Sequence, residues 1–288
     1  MNAGFSSGRL GSDQRLSVVT TCRARDLSVL QITAQKLAEN VPLKSLCVIA
    51  PATDCRTIAA RLGGRATVVS EDEFLPGMTI AELKKILRPH FPQAAGWYFQ
   101  QFLKLQYAFE KPDEDYYLIW DADTVPLRPM QFFDPQGQML LTRAQEYHSP
   151  YFETYERLLQ EPARRECSFI AQHIIVQKSV AREMLSQIER RGDGQNWAWS
   201  IMRGLPDQGD NLFSEYETYG HYVKNHYPDR VRLIERHWLR EGTQYTNGWI
   251  PKTADLNCLG RKYDYAAFER ASQNWMQWGR RKLKRWMK

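Results

Sequence analysis

Four short runs of β-branched and aromatic residues, Leu16 to Cys22 (LSVVTTC), Ser45 to Pro51 (SLCVIAP), Ala66 to Ser70 (ATVVS) and Tyr116 to Trp120 (YYLIW), are separated by stretches of helical periodicity. Runs of this kind are apolar on both faces, as strands covered by helices above and below must be. The alternation therefore predicts an α/β fold around a mainly parallel sheet. Between the runs, Asp26 to Asn40 carries Leu27, Leu30, Ile32 and Leu37 at roughly helical spacing and stops before Pro42, and Asp54 to Leu62 closes on Gly63-Gly64. Further helices are expected at 79–87, 96–110, 150–159, 180–190, 197–203 and 212–225, and further strands at 139–143, 168–177 and 231–238. The second half is thus α/β but less regular. With no repeat and no linker, residues 16–270 read as one continuous domain with halves 16–135 and 136–270, between a Gly/Ser-containing flexible leader (1–15) and a distinct tail (271–288).

That tail holds the excess charge. The chain has a formal net charge of +6, and Arg280, Arg281, Lys282, Lys284, Arg285 and Lys288 stand in its last nine residues with no acid among them, so the rest is neutral. On a helical wheel Trp275, Met276, Trp278, Leu283, Trp286 and Met287 share one broad arc, with most of the bases opposite and Lys282 the intruder. The tail reads as a basic amphipathic helix lying in a membrane interface, each base adding on the order of 1 kcal/mol near an anionic leaflet. A terminal helix packed on the body is the competing reading. A nucleic-acid partner fits least, because the bases are confined to one tail. No stretch approaches the roughly 18 apolar residues of a spanning helix, and the first fifteen residues lack the apolar core of a secretory signal. The expected location is cytoplasmic, peripheral on the inner face of the cell membrane. Five scattered cysteines without C-x-x-C spacing predict reduced thiols rather than a disulfide framework or a zinc site.

Two Asp-x-Asp pairs flank the YYLIW strand. Asp113 and Asp115 stand in a polar stretch after Pro112 and read as a solvated turn. Asp121 and Asp123 follow the strand's carboxyl end, where ligands of open α/β sheets bind. Two acids there repel each other and resist burial unless a cation joins them, and hard carboxylate oxygens select Mg²⁺ or Mn²⁺, bridging to a diphosphate. An Asp-rich turn of no function is the alternative.

The combination of GWYFQQFLKLQYA, then YYLIWDADTVPLRPMQFF, and later NLFSEYETYG resembles bacterial GT-A-fold glycosyltransferases of a largely uncharacterised group, over roughly residues 16–240. The resemblance implies a Rossmann-type central sheet flanked by helices, with 16–135 binding a nucleotide sugar and 136–270 facing the acceptor. It also implies a divalent cation at the D-x-D, with Asp121 near the ribose or metal and Asp123 the stronger ligand. A third ligand is expected on a late strand, where His237 fits better than His221, which falls within a helix. For the general base of an inverting reaction it implies a carboxylate among Asp210, Glu215 and Glu217. Two positions apart on a helix, Glu215 and Glu217 cannot both face the substrate, and Glu215 leads; in a retaining reaction neither need be a base, and Glu217 would instead bind the donor or an acceptor hydroxyl. Thr21, Arg23 and Asp26 after the first strand, with Glu71 and Asp72 after the third, stand where the fold contacts the nucleotide, although Asp26 is equally explained as a helix N-cap. Gln101 and Lys104 are placed to reach the donor, unless Lys104 only snorkels along its helix. Trp97, Tyr98 and Phe99 are assigned to the core and His173 to a satisfied strand position.

The leading expectation is a metal-dependent glycosyltransferase using a nucleotide sugar, UDP-linked by default, and a glycan or lipid-linked acceptor of surface polysaccharide or lipopolysaccharide assembly. A nucleotidyltransferase making nucleotide sugars is the alternative enzyme, but TTCRARD lacks the Gly-rich loop such an enzyme usually carries after its first strand. A non-catalytic nucleotide- or glycan-binding domain is the third possibility.

Overall fold

The computed structural model describes residues 14–87, 94–192, 194, 196–207, 211–246 and 248–270. β1 (Leu16–Thr21), β2 (Leu43–Ala50) and β3 (Thr67–Ser70) pair in parallel, with Val18 facing Leu46 and Val48 facing Val68. They are joined by α1 (Leu27–Asn40), which buries Leu27, Leu30, Ala34 and Leu37, and by α2 (Ala52–Leu62). α2 stops where Gly63 takes a left-handed φ of +57°, a conformation that resists a β-carbon. α3 (Ile80–Leu87) and α4 (Ala95–Gln106) follow, and α4 ends four residues before the predicted boundary in a 3₁₀ turn over Tyr107–Phe109. β4 (Tyr116–Trp120) then returns to the other side of β1, with Leu118 opposite Val18.

The chain continues through β5 (Thr124–Pro126), β6 (Met139–Thr142), α5 (Ser149–Leu159) and β7 (His173–Gln177). β7 runs antiparallel to β4 and completes the sheet order β3-β2-β1-β4-β7. The order reverses between β1 and β4, so a crevice opens at their carboxyl ends, the topological position where such sheets bind ligands. The sheet is parallel in four of its five strands, as a mainly parallel sheet requires. One expectation is corrected here: the strand expected at 168–177 forms only from His173. Gln172 stands in the left-handed region at φ +65°, so the chain before it cannot stay extended.

Beyond β7 come α6 (Lys178–Arg191), α7 (Trp197–Gly204) and α8 (Glu215–His226), the last beginning where the Glu217 N–H donates to the Ser214 hydroxyl at 3.3 Å. The strand expected at 231–238 is two pieces in two sheets. β8 (Val231–Ile234) pairs in parallel with β6, whereas β9 (Trp238–Leu239), after which α9 (Thr253–Leu259) follows, pairs with β10 (Tyr265–Ala267). β10 in turn pairs antiparallel with β5. One buried cluster runs from Leu16 to Tyr265, and a smaller one joins Val29, Val125, Leu256, Leu259, Ala266 and Phe268. The architecture is the expected central, parallel-rich sheet flanked by helices, with a less regular second half.

All five cysteines are unpaired: Cys22, Cys47 and Cys167 are buried, Cys55 is half-buried and Cys258 is exposed. Among the described residues no helix is long and apolar enough to cross a membrane. The tail, 271–288, lies outside the described residues, as does the leader up to residue 13.

Candidate functional site

The crevice is a cleft of about 1060 Å³ lined from β1, β4, α4, the turn into α8 and the segments around β9 and β10. Its floor is the turn Asp121-Ala122-Asp123, which is pinned on every side. The Asp121 N–H donates to the Gln172 carbonyl (3.0 Å), the Thr124 N–H to the Asp121 carbonyl (3.0 Å) and the Phe268 N–H to the Asp123 carbonyl (2.8 Å). The Trp120 indole N–H donates to the Thr124 carbonyl at 2.6 Å. Two carboxylates are thereby fixed at the end of the most apolar strand, where water alone cannot disperse their charge. Burial, reinforced by Asp121 and then by Glu269, pushes the Asp123 carboxyl up to about 7.

Asp121 has a counter-charge built in. Lys104, on the inward face of α4 and only 3% exposed, places its Nζ 3.0 Å from Asp121 Oδ1 and 2.5 Å from Glu215 Oε1. Burial alone would push this ammonium down, but Asp121 and Glu215 together outweigh it and hold it above the ordinary lysine range. The Tyr216 hydroxyl donates to the same Asp121 oxygen at 2.7 Å. Glu215 is equally buried, and burial raises its carboxyl while Lys104 opposes the rise. Lys104 does not merely snorkel along its helix. It bridges the first acid of the D-x-D to the carboxylate that opens α8.

α4 turns two different faces to the cleft. Gly96 and Gln100 face β1: a β-carbon on Gly96 would stand 3.2 Å from Arg23 Nη2, and the Thr21 hydroxyl donates to Gln100 Oε1 at 3.3 Å. Trp97 and Gln101, one residue further and about 100° round the helix, face α5 and α8. Gln101 Oε1 accepts from the Glu215 N–H at 3.0 Å, and Trp97 lies parallel to Tyr151, centroids 6.2 Å apart and planes at 14°.

The cleft brings together Thr21, Arg23, Asp26, Gln101, Lys104, Asp121, Asp123 and Glu215 of the predicted residues, and Glu71 as well. Asp26 makes no side-chain capping bond to α1, which removes the N-cap explanation for it. Other predicted residues are elsewhere. Glu217 is fully buried beneath the cleft, where Oε2 accepts from the Phe169 N–H at 3.1 Å and lies 3.2 Å from His221 Nε2, so it ties α8 to the loop before β7. His237 is exposed and does not line the cleft. The chain is crossing there between two sheets, and the His237 backbone is held by Asp264, N–H to Oδ2 at 3.0 Å and carbonyl to N–H at 2.6 Å. Asp72 is also exposed and outside it. Asp210 lies outside the described residues. His173 meets the expectation of a satisfied strand histidine only in part: Nε2 lies 3.2 Å from the Thr142 hydroxyl and the ring stacks on Trp120, but the buried Nδ1 has no partner among the described residues, and burial pushes the imidazole well below the usual range.

Sequence reasoning missed the residues that reach the cleft by long-range pairing. Glu146, Arg240 and Glu269 form a charged chain at its mouth, Arg240 pairing with Glu146 and lying 3.6 Å from Glu269. No local pattern marks them, since β9 and β10 are too short to read. Gln172 was hidden because its left-handed backbone carries no Gly or Asn signature. Its Oε1 accepts from the Thr124 hydroxyl at 3.4 Å, and its amide nitrogen has no hydrogen-bond partner among the described residues. Trp97, assigned to the core, is half-buried in the cleft wall, while Tyr98 and Phe99 are buried as expected.

The donor set suits a hard divalent cation. Asp121 retains an oxygen not engaged by Lys104 or Tyr216, and the Asp123 carboxylate accepts no side-chain hydrogen bond among the described residues. No three His, Cys, Asp or Glu side chains converge as a complete ligand cage among the described residues. Two protein carboxylates, completed by water and substrate phosphates, are a coordination that Mg²⁺ commonly takes.

The sequence matches, over residues 19–253, the model of a family of unknown function (DUF6492), and the chain belongs to that family. No curated protein matches it. Solved structures that it resembles include mouse xyloside xylosyltransferase 1 in its apo form (TM-score 0.47, 9% identity, 88% of this chain and 97% of that one). The galactosyltransferase LgtC with donor and acceptor sugar analogues is another (0.42, 13%, 90% and 89%). The bifunctional glycosyltransferase WbbM, in its apo structure, is a third (0.41, 10%, 91% and 47%).

Proposed function

We propose that this member of the family is a divalent-cation-dependent glycosyltransferase that moves a sugar from a nucleoside diphosphate to a hydroxyl of a glycan or glycolipid. The observation that carries this reading is the fixed Asp121–Asp123 turn at the sheet's switch point, with a buried ammonium and a second carboxylate beside it in one large cleft. Thr21, Arg23, Asp26 and Glu71 line the β1 side, where the nucleotide is expected to lie. A cation held by Asp121 and Asp123 would stabilise charge on the departing diphosphate.

In the transfer, the acceptor oxygen bonds to the anomeric carbon, the bond from that carbon to the diphosphate oxygen breaks, and its electron pair leaves with the diphosphate. The proton of the acceptor hydroxyl goes to a carboxylate, and of Glu215 and Glu217 it is Glu215 that lines the cleft. Lys104 favours the ionised Glu215 that can take it. Glu217, sealed beneath the cleft, has a structural role in this reading. Mn²⁺ or Mg²⁺ is the cation, and a UDP-linked sugar the donor. The basic, Trp-rich tail supports action on a lipid-linked or lipopolysaccharide-type acceptor at the inner face of a bacterial membrane.

Calorimetric titration with UDP, GDP and CMP and their sugar conjugates, each with Mn²⁺ or with EDTA, tests the reading. Manganese-dependent binding of one nucleotide class, lost in Asp123→Ala, is expected. Binding that ignores both the metal and Asp123 overturns the site.

A further inference from the structure

The cleft is lined from two sides of α4, and only one of them faces β1. At about 1060 Å³ it lies just above the roughly 300–1,000 Å³ of a usual small-molecule pocket. α4 divides it: Gly96 and Gln100 belong to the β1 side, whereas Trp97 and Gln101 belong to the side of α5 and α8. On that far side the parallel rings of Trp97 and Tyr151 form an aromatic wall next to Glu215. Both side chains are half-buried. Neither the Trp97 indole N–H nor the Tyr151 hydroxyl has a hydrogen-bond partner among the described residues, although both side chains line the cleft. Both tips are therefore left to solvent or to a ligand in the cleft. Aromatic faces with open polar tips are complementary to a pyranose ring, whose C–H face stacks on a ring while its rim hydroxyls take hydrogen bonds.

We propose that Trp97 and Tyr151 form an acceptor subsite for a pyranoside with an unbroken face of C–H bonds, stacked so that one of its hydroxyls meets Glu215. This rests on the glycosyl-transfer reading for the name acceptor, but not for the binding itself. A nucleobase is the rival occupant of any aromatic wall. The position on the face of α4 turned away from β1 argues for the sugar.

The test uses methyl β-D-galactopyranoside, whose C3, C4 and C5 hydrogens share one face, and reads saturation transfer by NMR on the full chain without nucleotide. Transfer should be strongest to those three hydrogens. It should fall at least fivefold in Trp97→Ala and in Tyr151→Ala, and persist in Tyr151→Phe, which keeps the ring and shows that the fold is retained. UDP binding with Mn²⁺, measured on the same variants by calorimetry, should be unchanged. Absence of transfer in the unmodified chain, or transfer indifferent to both alanine variants, overturns the subsite. So does a loss of UDP affinity in those variants, which would assign the wall to the base. Nucleotide binding without glycoside binding sinks this inference and leaves the glycosyl-transfer reading standing. Trp97-dependent glycoside binding in a chain to which no nucleotide of the panel binds, with or without Mn²⁺, does the reverse.

Discussion

The two Asp-x-Asp turns at either end of β4 share spacing and composition and differ in everything else. Asp113 and Asp115 are exposed at the amino end, and Glu114 between them pairs with the surface Lys44 at 3.0 Å. Asp121 and Asp123 sit at the carboxyl end, where the sheet order reverses, with their peptide groups tied to β10 and to the loop before β7. Water neutralises the first pair. The second needs charge from inside the protein, which Lys104 supplies to Asp121, whereas Asp123 has no ion pair among the described residues. A carboxylate pair becomes a site through what the fold denies it, and the motif alone does not carry that information.

The comparison is most severely tested at the two lysines. Lys104→Met should cost about 3–5 kcal/mol of unfolding free energy, because it leaves Glu215 buried without its partner. Lys44→Met, removing the surface partner of Glu114, should cost about 1 kcal/mol or less. Equal losses in denaturant titrations would erase the distinction. Next comes turnover: Asp123→Ala should lower metal-dependent donor turnover by about 100-fold or more, while Asp113→Ala and Asp115→Ala leave it within twofold.

A third contrast is in pH. The Asp123 carboxyl titrates near 7 in the folded protein and near 3.8 when unperturbed. As pH rises between these values the unfolded chain releases a proton that the folded one keeps, so this group lowers stability progressively and then levels off. Without added metal, Asp123→Asn should melt like the unmodified protein near pH 4 and above it at pH 8, whereas Asp113→Asn should open no such gap. Mn²⁺ should raise the melting temperature more at pH 8 than at pH 6, and only while Asp123 is present.

The smallest effect concerns backbone strain, since each turn has a non-glycine residue with positive φ nearby, Lys111 at +44° and Gln172 at +65°. Replacing either by Gly should change stability by less than about 1 kcal/mol, relief of strain offsetting glycine's extra freedom when unfolded. Only Gln172→Gly should also slow donor turnover, by about tenfold, since it removes from the cleft an amide whose nitrogen is free to meet substrate.

Much of the first half was legible because its signals are local. LSVVTTC, SLCVIAP and YYLIW became β1, β2 and β4 within a residue or two, and the D-x-D landed at the predicted strand end. What the sequence could not convey is direction and partnership. A buried run such as FIAQHIIVQ looks the same in a parallel or an antiparallel strand, so β7's reversal was invisible, and the break at Gln172 with it. His237 was selected by its place on an expected strand, but that strand ends at Ile234 and the histidine faces outward. Helical geometry said that Glu215 and Glu217 cannot both face the substrate, but not which of them does. The structure puts Glu215 on the cleft wall and Glu217 beneath it.

The floor of the cleft depends on chain that is made late. The Phe268 N–H closes onto the Asp123 carbonyl, and nearby Arg128 reaches the carbonyl of Gly260, a residue 132 positions further on. At the roughly 5–20 residues per second of translation, the acidic turn has left the ribosome on the order of ten seconds before its closing strand arrives. During that interval β5 offers an unpaired edge to any neighbouring chain. A polypeptide arrested before Tyr265 therefore lacks both the strand that pairs with β5 and the N–H that holds the Asp123 carbonyl, so its acidic turn is left without its closing bond.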